Sequence, residues 1–245
     1  MNKIHEHLMK YGYNLQYSLD DRLCSEALIK HLGKKGHKKF WNYVDKFESK
    51  NGTGEIEQVI RDYIGADSQH LKILLSGQIL ISVMILEEIT SSMKELKFQK
   101  NQEFQILELG GFDGWASDYI NYYEFPYSSI DVVDSNFNGR STNSSLRLIQ
   151  TNYETFNSEK KYDVVFSILG IHHTKIKILF DCIDRNAKKD SVILLGLRVV
   201  PNDYNDIIDL FTANGYRSIN YPVKTIKVQN LGTGPETFPL FEFRK

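Results

Sequence analysis

Apolar positions in the first hundred residues recur at steps of three and four, which is the spacing of amphipathic helices. Three segments with this spacing stop at or next to a glycine, a frequent helix terminator: residues 25–33, 38–52 and 55–65. A longer apolar pattern predicts a further helix from about Ser68 to Leu96, capped by Ser68 or Asp67. Because no alternating strand pattern competes here, we predict an all-helical N-terminal region over residues 1–100.

The pattern changes after residue 100, where short runs rich in Ile, Val and Leu alternate with segments of helical length. There are five of these runs: residues 104–109, 128–134, 146–152, 162–169 and 191–200. Continuous apolar runs of this kind are typical of parallel strands that are covered on both faces. An amphipathic helix over residues 204–216, ending at Gly215, and two strands over 221–230 and 237–245 complete the pattern. The short link between these two strands favours an antiparallel pair.

Together these elements predict an α/β fold, with a doubly wound, seven-stranded and mostly parallel sheet over residues 101–245. The residues before it, 1–100, form a helical cap in this prediction. In such sheets, ligands bind at the carboxyl ends of the strands, near the point where the strand order reverses. Candidate site residues are therefore those that follow each strand directly.

Composition narrows the class of protein and its partners. The chain has 245 residues, a formal net charge of −1, 41% apolar and 25% charged residues, which are ordinary values for a soluble globular protein. A near-neutral charge does not favour a nucleic-acid partner. The most apolar stretch, residues 74–89, is interrupted by polar residues and is shorter than the roughly 20 residues of a membrane span. With two distant cysteines and no signal-peptide pattern, we expect a cytoplasmic protein.

The loop after the first predicted strand carries the most specific pattern. It reads E-x-G-x-x-x-G, with Glu108 at the strand end and glycines at positions 110, 111 and 114 (Gly110, Gly111 and Gly114). Glycines allow a ligand to come close to the backbone. A diphosphate-binding loop would instead read G-x-G-x-x-G. An acid at the strand end suits a cationic ligand better than a diphosphate.

This loop resembles motif I of the class I S-adenosylmethionine-dependent methyltransferases. The resemblance implies that Glu108 lies near the methionine end of the cofactor and that the glycines pass beneath it. Phe112 stands where the family usually has a glycine, and it resembles a phenylalanine-containing subtype of the motif. The alternative interpretation of the stretch is an ordinary strand-to-helix turn.

The second and third strands end in residues that suit a nucleoside. Asp134 ends the second strand and is followed by Ser135, and we predict that both residues bind the cofactor. A carboxylate here can accept hydrogen bonds from both ribose hydroxyls. NAD sites use an acid in the same way, so Asp134 does not identify the nucleoside. After the third strand, the resemblance implies that Asn152 reads the adenine amino group and that Tyr153 contacts the ring.

The fourth strand runs into a segment, residues 162–175, that resembles motif IV of the small-molecule methyltransferases. The resemblance implies that Ser167 and Ile168 lie beside the cofactor and that His172 and His173 face the substrate. One of the two histidines could act as a general base, because imidazole titrates near neutral pH. The alternative is that the pair only packs or caps a helix. No metal site is predicted, because adjacent histidines point in different directions.

Four consecutive strand ends thus carry residues that one cofactor, S-adenosylmethionine, requires. We predict an enzyme that transfers a methyl group to an oxygen or nitrogen atom of a small molecule, in specialised metabolism, with no nucleic-acid or membrane partner. A homodimer is one assembly we consider. Two other classes stay open: a methyltransferase-like subunit that binds without catalysing, and a nucleotide-dependent oxidoreductase. Three tyrosines near the N-terminus either close over the cofactor or pack: Tyr11, Tyr13 and Tyr17.

Overall fold

A computed structural model describes most of the chain, in ten ranges. These are residues 3–51, 69–77, 79–96, 98, 101–135, 143–169, 176–197, 203–220, 223–230 and 234–245. The chain forms two compact units, one of residues 1–83 with 229–235 and the other of residues 84–228 with 236–245.

Within residues 3–83 the described part of the first unit is mainly helical, as the apolar spacing predicts, whereas its residues 229, 230, 234 and 235 lie in strands. The helices are α1 (Lys3–Lys10), α2 (Leu15–Leu19), α3 (Asp21–Asn51), α4 (Gln69–Ser76) and the start of α5 (Ile79–Glu95). Helix α3 is interrupted at Gly33, which has φ 71° and ψ 159°, and the sequence predicts a helix end at this glycine. Tyr13 is buried in this unit. The helix predicted over residues 55–65 lies outside the described residues.

The prediction of one helix from Ser68 to Leu96 is wrong, because α4 ends at Ser76 and α5 begins at Ile79. A hydroxyl interrupts the helical hydrogen bonds between them. Ser18 Oγ donates to the Ser76 carbonyl at 2.6 Å, and Leu80 N–H donates to the same Ser18 Oγ at 3.0 Å. In a continuous helix, the Leu80 N–H would donate directly to the Ser76 carbonyl. The predicted caps, Asp67 and Ser68, lie outside the described residues.

The second unit contains a mostly parallel sheet. Its strands are β1 (Gln105–Leu109), β2 (Ser129–Asp134), β3 (Leu146–Gln150), β4 (Tyr162–Ile168), β5 (Ala187–Gly196), β6 (Arg217–Ser218), β7 (Lys224–Asn230) and β8 (Gly234–Arg244). The order is β3-β2-β1-β4-β5-β8-β6, and β7 pairs with β8 outside this path. Strands β1 to β5 pair in parallel, whereas β8 is antiparallel to both β5 and β6. This confirms the predicted fold class.

Within the described ranges the sheet has eight strands, one more than predicted. The additional strand is β6, which spans only Arg217 and Ser218 and pairs with the end of β8. Two residues are too few to show an alternating pattern, so the sequence carries no signal for this strand. Strand β5 also begins earlier than the apolar run that predicts it, at Ala187 rather than at Ser191.

Helices cover both faces of the sheet. On one face, α7 (Ile176–Asn186) and α8 (Tyr204–Ala213) pack on a buried cluster that includes Leu107, Val165 and Leu195. On the other face, Ile85 of α5 lies directly over Gly196. Helix α6 (Trp115–Tyr119) continues into a π-helical turn, Ile120–Glu124, and follows β1 directly. The arrangement is doubly wound, as predicted.

A buried polar cluster in the middle of the sheet yields one stability prediction. Asp131 of β2 is buried and accepts a hydrogen bond from the hydroxyl of buried Tyr162 at 2.5 Å and from the Arg147 guanidinium, whose Nε lies 3.1 Å from the carboxylate. We expect Asp131→Ala to lower the free energy of unfolding by about 2 kcal/mol, because the Tyr162 hydroxyl then stays buried without this acceptor. Urea denaturation measures the change.

Arg147→Ala serves as the control for this cluster. The Arg147 side chain is 54% exposed, so water replaces its contact with Asp131 at a smaller cost. We expect this variant to lose well under half as much stability as Asp131→Ala. Equal losses in the two variants would show that the buried tyrosine hydroxyl is not the main contributor.

Candidate functional site

The strand order reverses between β1 and β4, which lie side by side at the centre of the sheet. In sheets of this type, such a reversal opens a crevice at the carboxyl ends of the two strands. Here the ends are joined by a hydrogen bond of 2.7 Å, in which Ser167 Oγ of β4 donates to the Leu109 carbonyl of β1. The residues predicted from the first and fourth strands are therefore brought together at this edge.

The loop after β1 is tied to the end of β2 by its backbone. The Gly110 N–H donates to the Val133 carbonyl at 2.8 Å, and the Phe112 N–H donates to a carboxylate oxygen of Asp134 at 3.0 Å. Gly110 and Gly114 have φ values of 76° and 78°, in the left-handed region that glycine adopts most readily. The loop thus places the candidate residues of β1 and β2 against each other.

Phe112 also lies in the left-handed region, with φ 48°. For a residue with a side chain this backbone costs on the order of 1 kcal/mol. Its N–H bond to the charged Asp134 side chain helps to hold the conformation. The residue that departs from the usual glycine motif therefore keeps a glycine-like backbone.

Gly111 is required by close packing. A Cβ at this position would lie 2.4 Å from Cγ1 of Val132 and 2.6 Å from the carboxyl carbon of Glu108. Both distances are well inside van der Waals contact. The loop therefore passes directly over the Glu108 carboxylate, and a side chain at position 111 would displace it.

Glu108 is buried at the end of β1, with 2% of its surface exposed. The Ser117 hydroxyl of α6 donates to its Oε2 at 2.5 Å. Burial raises the pKa of Glu108 to about 7, and the hydrogen bonds from Ser117 oppose the rise. At neutral pH the carboxyl is therefore poised between its charged and neutral forms.

Two further carboxylates, Asp113 and Asp134, act on Glu108 and raise its pKa through charge repulsion. Asp113 is buried in the loop, and its Oδ1 accepts a hydrogen bond from the Trp115 N–H at 3.3 Å. Asp134 is half-buried at the end of β2. Three acids around one glycine loop make its surroundings electronegative, and a positively charged ligand would relieve their repulsion.

The residues that follow β2 and β3 differ in exposure. Ser135 and Asn152 are exposed, and both use their carbonyls locally: Ser135 accepts from Gln150 Nε2 at 3.4 Å, and Asn152 accepts from the Phe156 N–H at 2.9 Å. Tyr153 is only 9% exposed and belongs to the buried cluster beneath α7. The roles predicted for Asn152 and Tyr153 toward adenine stay predictions, and burial leaves the tyrosine little surface for a ligand.

The end of β4 has a strained backbone. Ser167 is buried, Ile168 is half-buried, and Leu169 has φ 55° while its N–H donates to the Gly196 carbonyl at 2.9 Å. Backbone strain of this kind is concentrated at functional sites. His172 and His173 lie outside the described residues, so the predicted general base stays a prediction.

Sequence reasoning did not identify Ser117 or Asp113 as residues of this site. Ser117 is a polar residue in a helix whose neighbours Trp115 and Ala116 are buried. A single polar residue within an apolar helical segment is the signal that could have identified it. The bond to Glu108, however, depends on where α6 lies against the sheet.

Within the described ranges, no group of three or more His, Cys, Asp or Glu side chains is arranged to hold a metal ion. Among the helices that these same ranges contain, none combines the length and the apolar character needed to cross a membrane.

Comparisons with known proteins give matches in structure alone. No protein-family model matches the sequence, and no curated protein matches it either. The plantazolicin methyltransferase BpumL, solved in complex with SAH, superposes with a TM-score of 0.57 at 15% identity, covering 84% of this chain and 99% of that one. BpumL in complex with a monoazolic desmethylPZN analog and SAH superposes with a TM-score of 0.56 at 14% identity, covering 84% and 99%.

The coverage extends over almost all of BpumL, so the likeness is not confined to the glycine loop. At this level of identity the likeness shows the fold. The likeness to BpumL and the strand order, which reverses between β1 and β4, together identify the fold. The chain has the Rossmann-like fold of the class I S-adenosylmethionine-dependent methyltransferases.

Proposed function

We propose that this chain is an enzyme that transfers a methyl group from S-adenosylmethionine to an oxygen or nitrogen atom of a small molecule. The observation that carries the proposal is the set of three carboxylates around a closely packed glycine loop, at the carboxyl end of β1. Diphosphate-binding loops place backbone N–H groups, rather than carboxylates, against their ligand. The acids therefore favour a positively charged cofactor over a dinucleotide.

The residues present fit S-adenosylmethionine. This cofactor carries a positive sulfonium and a positive ammonium group, which suit the acids at positions 108 and 113. Gly111 has no side chain that would collide with Glu108, so the loop backbone packs directly on the Glu108 carboxyl and keeps this acid next to the loop. Asp134, oriented by the Phe112 N–H, is placed to accept hydrogen bonds from ribose hydroxyls.

The cofactor supplies an electrophilic methyl group, so the protein's part is mainly to align the acceptor and to exclude water. The hydrogen bond from Ser167 to the Leu109 carbonyl holds the ends of β1 and β4 together, and the cofactor would bind against these two strand ends. Where the acceptor carries a proton, we propose that His172 or His173 removes it. Alanine at each of these positions would then lower the rate of methyl transfer more than the affinity for the cofactor.

The likeness to BpumL supports the cofactor, because two of its structures contain SAH, the demethylated product of S-adenosylmethionine. One of them also contains an analog of the desmethyl form of plantazolicin, which supports a substrate of modest size rather than nucleic acid. The near-neutral net charge of this chain agrees with that choice. A role in specialised metabolism, in the cytoplasm, completes the proposal.

Isothermal titration with S-adenosylmethionine tests the cofactor. We expect binding by the wild type, and we expect Asp134→Asn to weaken it roughly tenfold or more, because the amide has lost one acceptor oxygen and the charge. The amide oxygen can still accept the Phe112 N–H, so the loop itself is retained. Glu103→Gln removes a carboxylate charge at an exposed position before β1, so it is the matched control and should bind like the wild type. No binding at millimolar cofactor would refute the proposal.

A turnover assay distinguishes an enzyme from a subunit that binds the cofactor without catalysing. Mass spectrometry of reactions with a panel of small oxygen and nitrogen nucleophiles should reveal the demethylated cofactor together with a methylated product. A chain that binds S-adenosylmethionine tightly and methylates none of the panel would favour the methyltransferase-like subunit that binds without catalysing.

A further inference from the structure

Ser117 is a fully buried hydroxyl on α6 that is not among the predicted cofactor contacts. It lies nine residues after Glu108 in the chain, and the fold brings the two side chains to 2.5 Å. Its hydroxyl donates to the Glu108 carboxylate, and the hydroxyl and the backbone N–H of Ser117 both lower the pKa of this group. Two donors from one residue to one buried carboxylate favour the charged form of that carboxylate.

We propose, on the basis of the proposed function, that Ser117 is a positioning residue that keeps Glu108 charged beneath Gly111 and thereby couples S-adenosylmethionine binding to the ionisation of Glu108. The geometry supports this directly. A Cβ on Gly111 would lie 2.7 Å from Oε2 of Glu108, the same oxygen that accepts the Ser117 hydroxyl. The carboxylate charge therefore lies immediately under the surface on which the cofactor rests.

The groups packed around Glu108 make its charge state depend on Ser117. Burial and the like charges of Asp113 and Asp134 favour the neutral carboxyl, and the neighbouring strands place apolar Val132 and Phe166 opposite it. The donors of Ser117 oppose these effects. Without the hydroxyl, a larger share of Glu108 is neutral near pH 7.

A cationic cofactor binds more tightly to the charged form of Glu108. Its affinity therefore rises with pH until Glu108 is fully ionised, and binding near neutral pH releases protons. Demethylated cofactor has no sulfonium charge, so its affinity depends less on Glu108. This difference distinguishes a charge effect from a change in the shape of the site.

The experiment measures the dissociation constant of S-adenosylmethionine between about pH 6 and pH 9 in the full chain, comparing wild type, Ser117→Ala and Ser117→Thr. We expect Ser117→Ala to lose roughly tenfold in affinity near pH 7 and to approach the wild type near pH 9. Ser117→Thr keeps the hydroxyl and should restore the wild-type profile. The loss for demethylated cofactor should be smaller.

A loss of the same factor at every pH would overturn the inference, because it would indicate a purely structural role for Ser117. An unchanged profile in Ser117→Ala would overturn it as well. If that variant does not fold, calorimetry of the wild type in two buffers of different ionisation enthalpy still tests the coupling, and absence of proton release near pH 7 refutes it. A wild type that binds no S-adenosylmethionine at any pH would instead refute the proposed function.

Discussion

Replacing Glu108 with glutamine is expected to stabilise the folded chain at pH 8 by about 3 kcal/mol. Burial raises the pKa of Glu108 from 4.5 to about 7, so the folded state holds this proton more tightly than the unfolded state. The stability that the carboxyl contributes is fully present at low pH and is lost as the pH rises through about 7. Glutamine is neutral throughout and carries no such loss.

Urea denaturation as a function of pH tests this expectation. The free energy of unfolding of Glu108→Gln should exceed that of the wild type by an amount that grows from near zero at about pH 4.5 to its full value above about pH 7. Glu103→Gln, at an exposed position before β1, is the matched control and should change the stability little at any pH. A difference that does not vary with pH would show that ionisation is not its cause.

The same Glu108→Gln variant should lose affinity for S-adenosylmethionine, roughly tenfold or more at pH 8. A buried charge that costs stability in the free protein is a common property of ligand sites. The rise in affinity with pH that ionisation of Glu108 causes should also be absent from this variant, since the titrating carboxyl is gone. If this variant were more stable and bound S-adenosylmethionine with unchanged affinity, Glu108 would not be part of the cofactor site.

The second large effect is expected from Gly111→Ala, which should lower the free energy of unfolding by about 3 kcal/mol and abolish cofactor binding. The new Cβ would lie 2.4 Å from Cγ1 of Val132 and 2.6 Å from the carboxyl carbon of Glu108. Gly111 is not among the glycines with positive φ, so the cost is steric rather than conformational. Thermal and urea unfolding, together with titration of the cofactor, measure both losses.

Gly215→Ala provides the matched control for this steric effect. Gly215 has φ 88°, but no atom lies within 4 Å of the position that a Cβ would take, so alanine there costs only backbone strain, about 1 kcal/mol. The double variant Gly111→Ala, Val132→Ala removes one of the two collisions, so it should lose less stability than the sum of the losses of the two single variants. A stability for Gly111→Ala within about 0.5 kcal/mol of the wild type would contradict the close packing of this loop.

Most of the fold could be predicted from the sequence, because most of the strands and helices have a local signal. The apolar runs that end at Leu109 and Asp134 coincide with the ends of β1 and β2, and the run that ends at Leu169 extends one residue beyond the end of β4. Such runs are long enough for their apolar character to distinguish them from the segments on either side. The failures occur where the deciding partner is distant, as at Ser18, whose hydroxyl separates α4 from α5 from a position 58 residues before Ser76.

In the candidate site, too, some residues could be predicted from the sequence and others could not. The acids and glycines at the strand ends were identifiable, because the carboxyl ends of parallel strands must share one edge of the sheet. The role of Ser117 was not, since its bond to Glu108 depends on how α6 packs on the sheet. For Tyr153, the sequence suggested a ring contact, whereas packing against the buried cluster covers most of the side chain.

Local pattern was therefore sufficient for the fold class, for most of the strands and for the presence of a glycine loop with an acid at its head. The protonation of Glu108, the need for glycine at position 111 and the strained backbone of Phe112 follow from tertiary contacts with β2 and α6. The physical reason is that a pKa and a steric collision depend on the atoms within a few ångströms. Around Glu108 those atoms belong to the adjacent glycine loop and also to separate elements, β2 and α6, that only folding brings together.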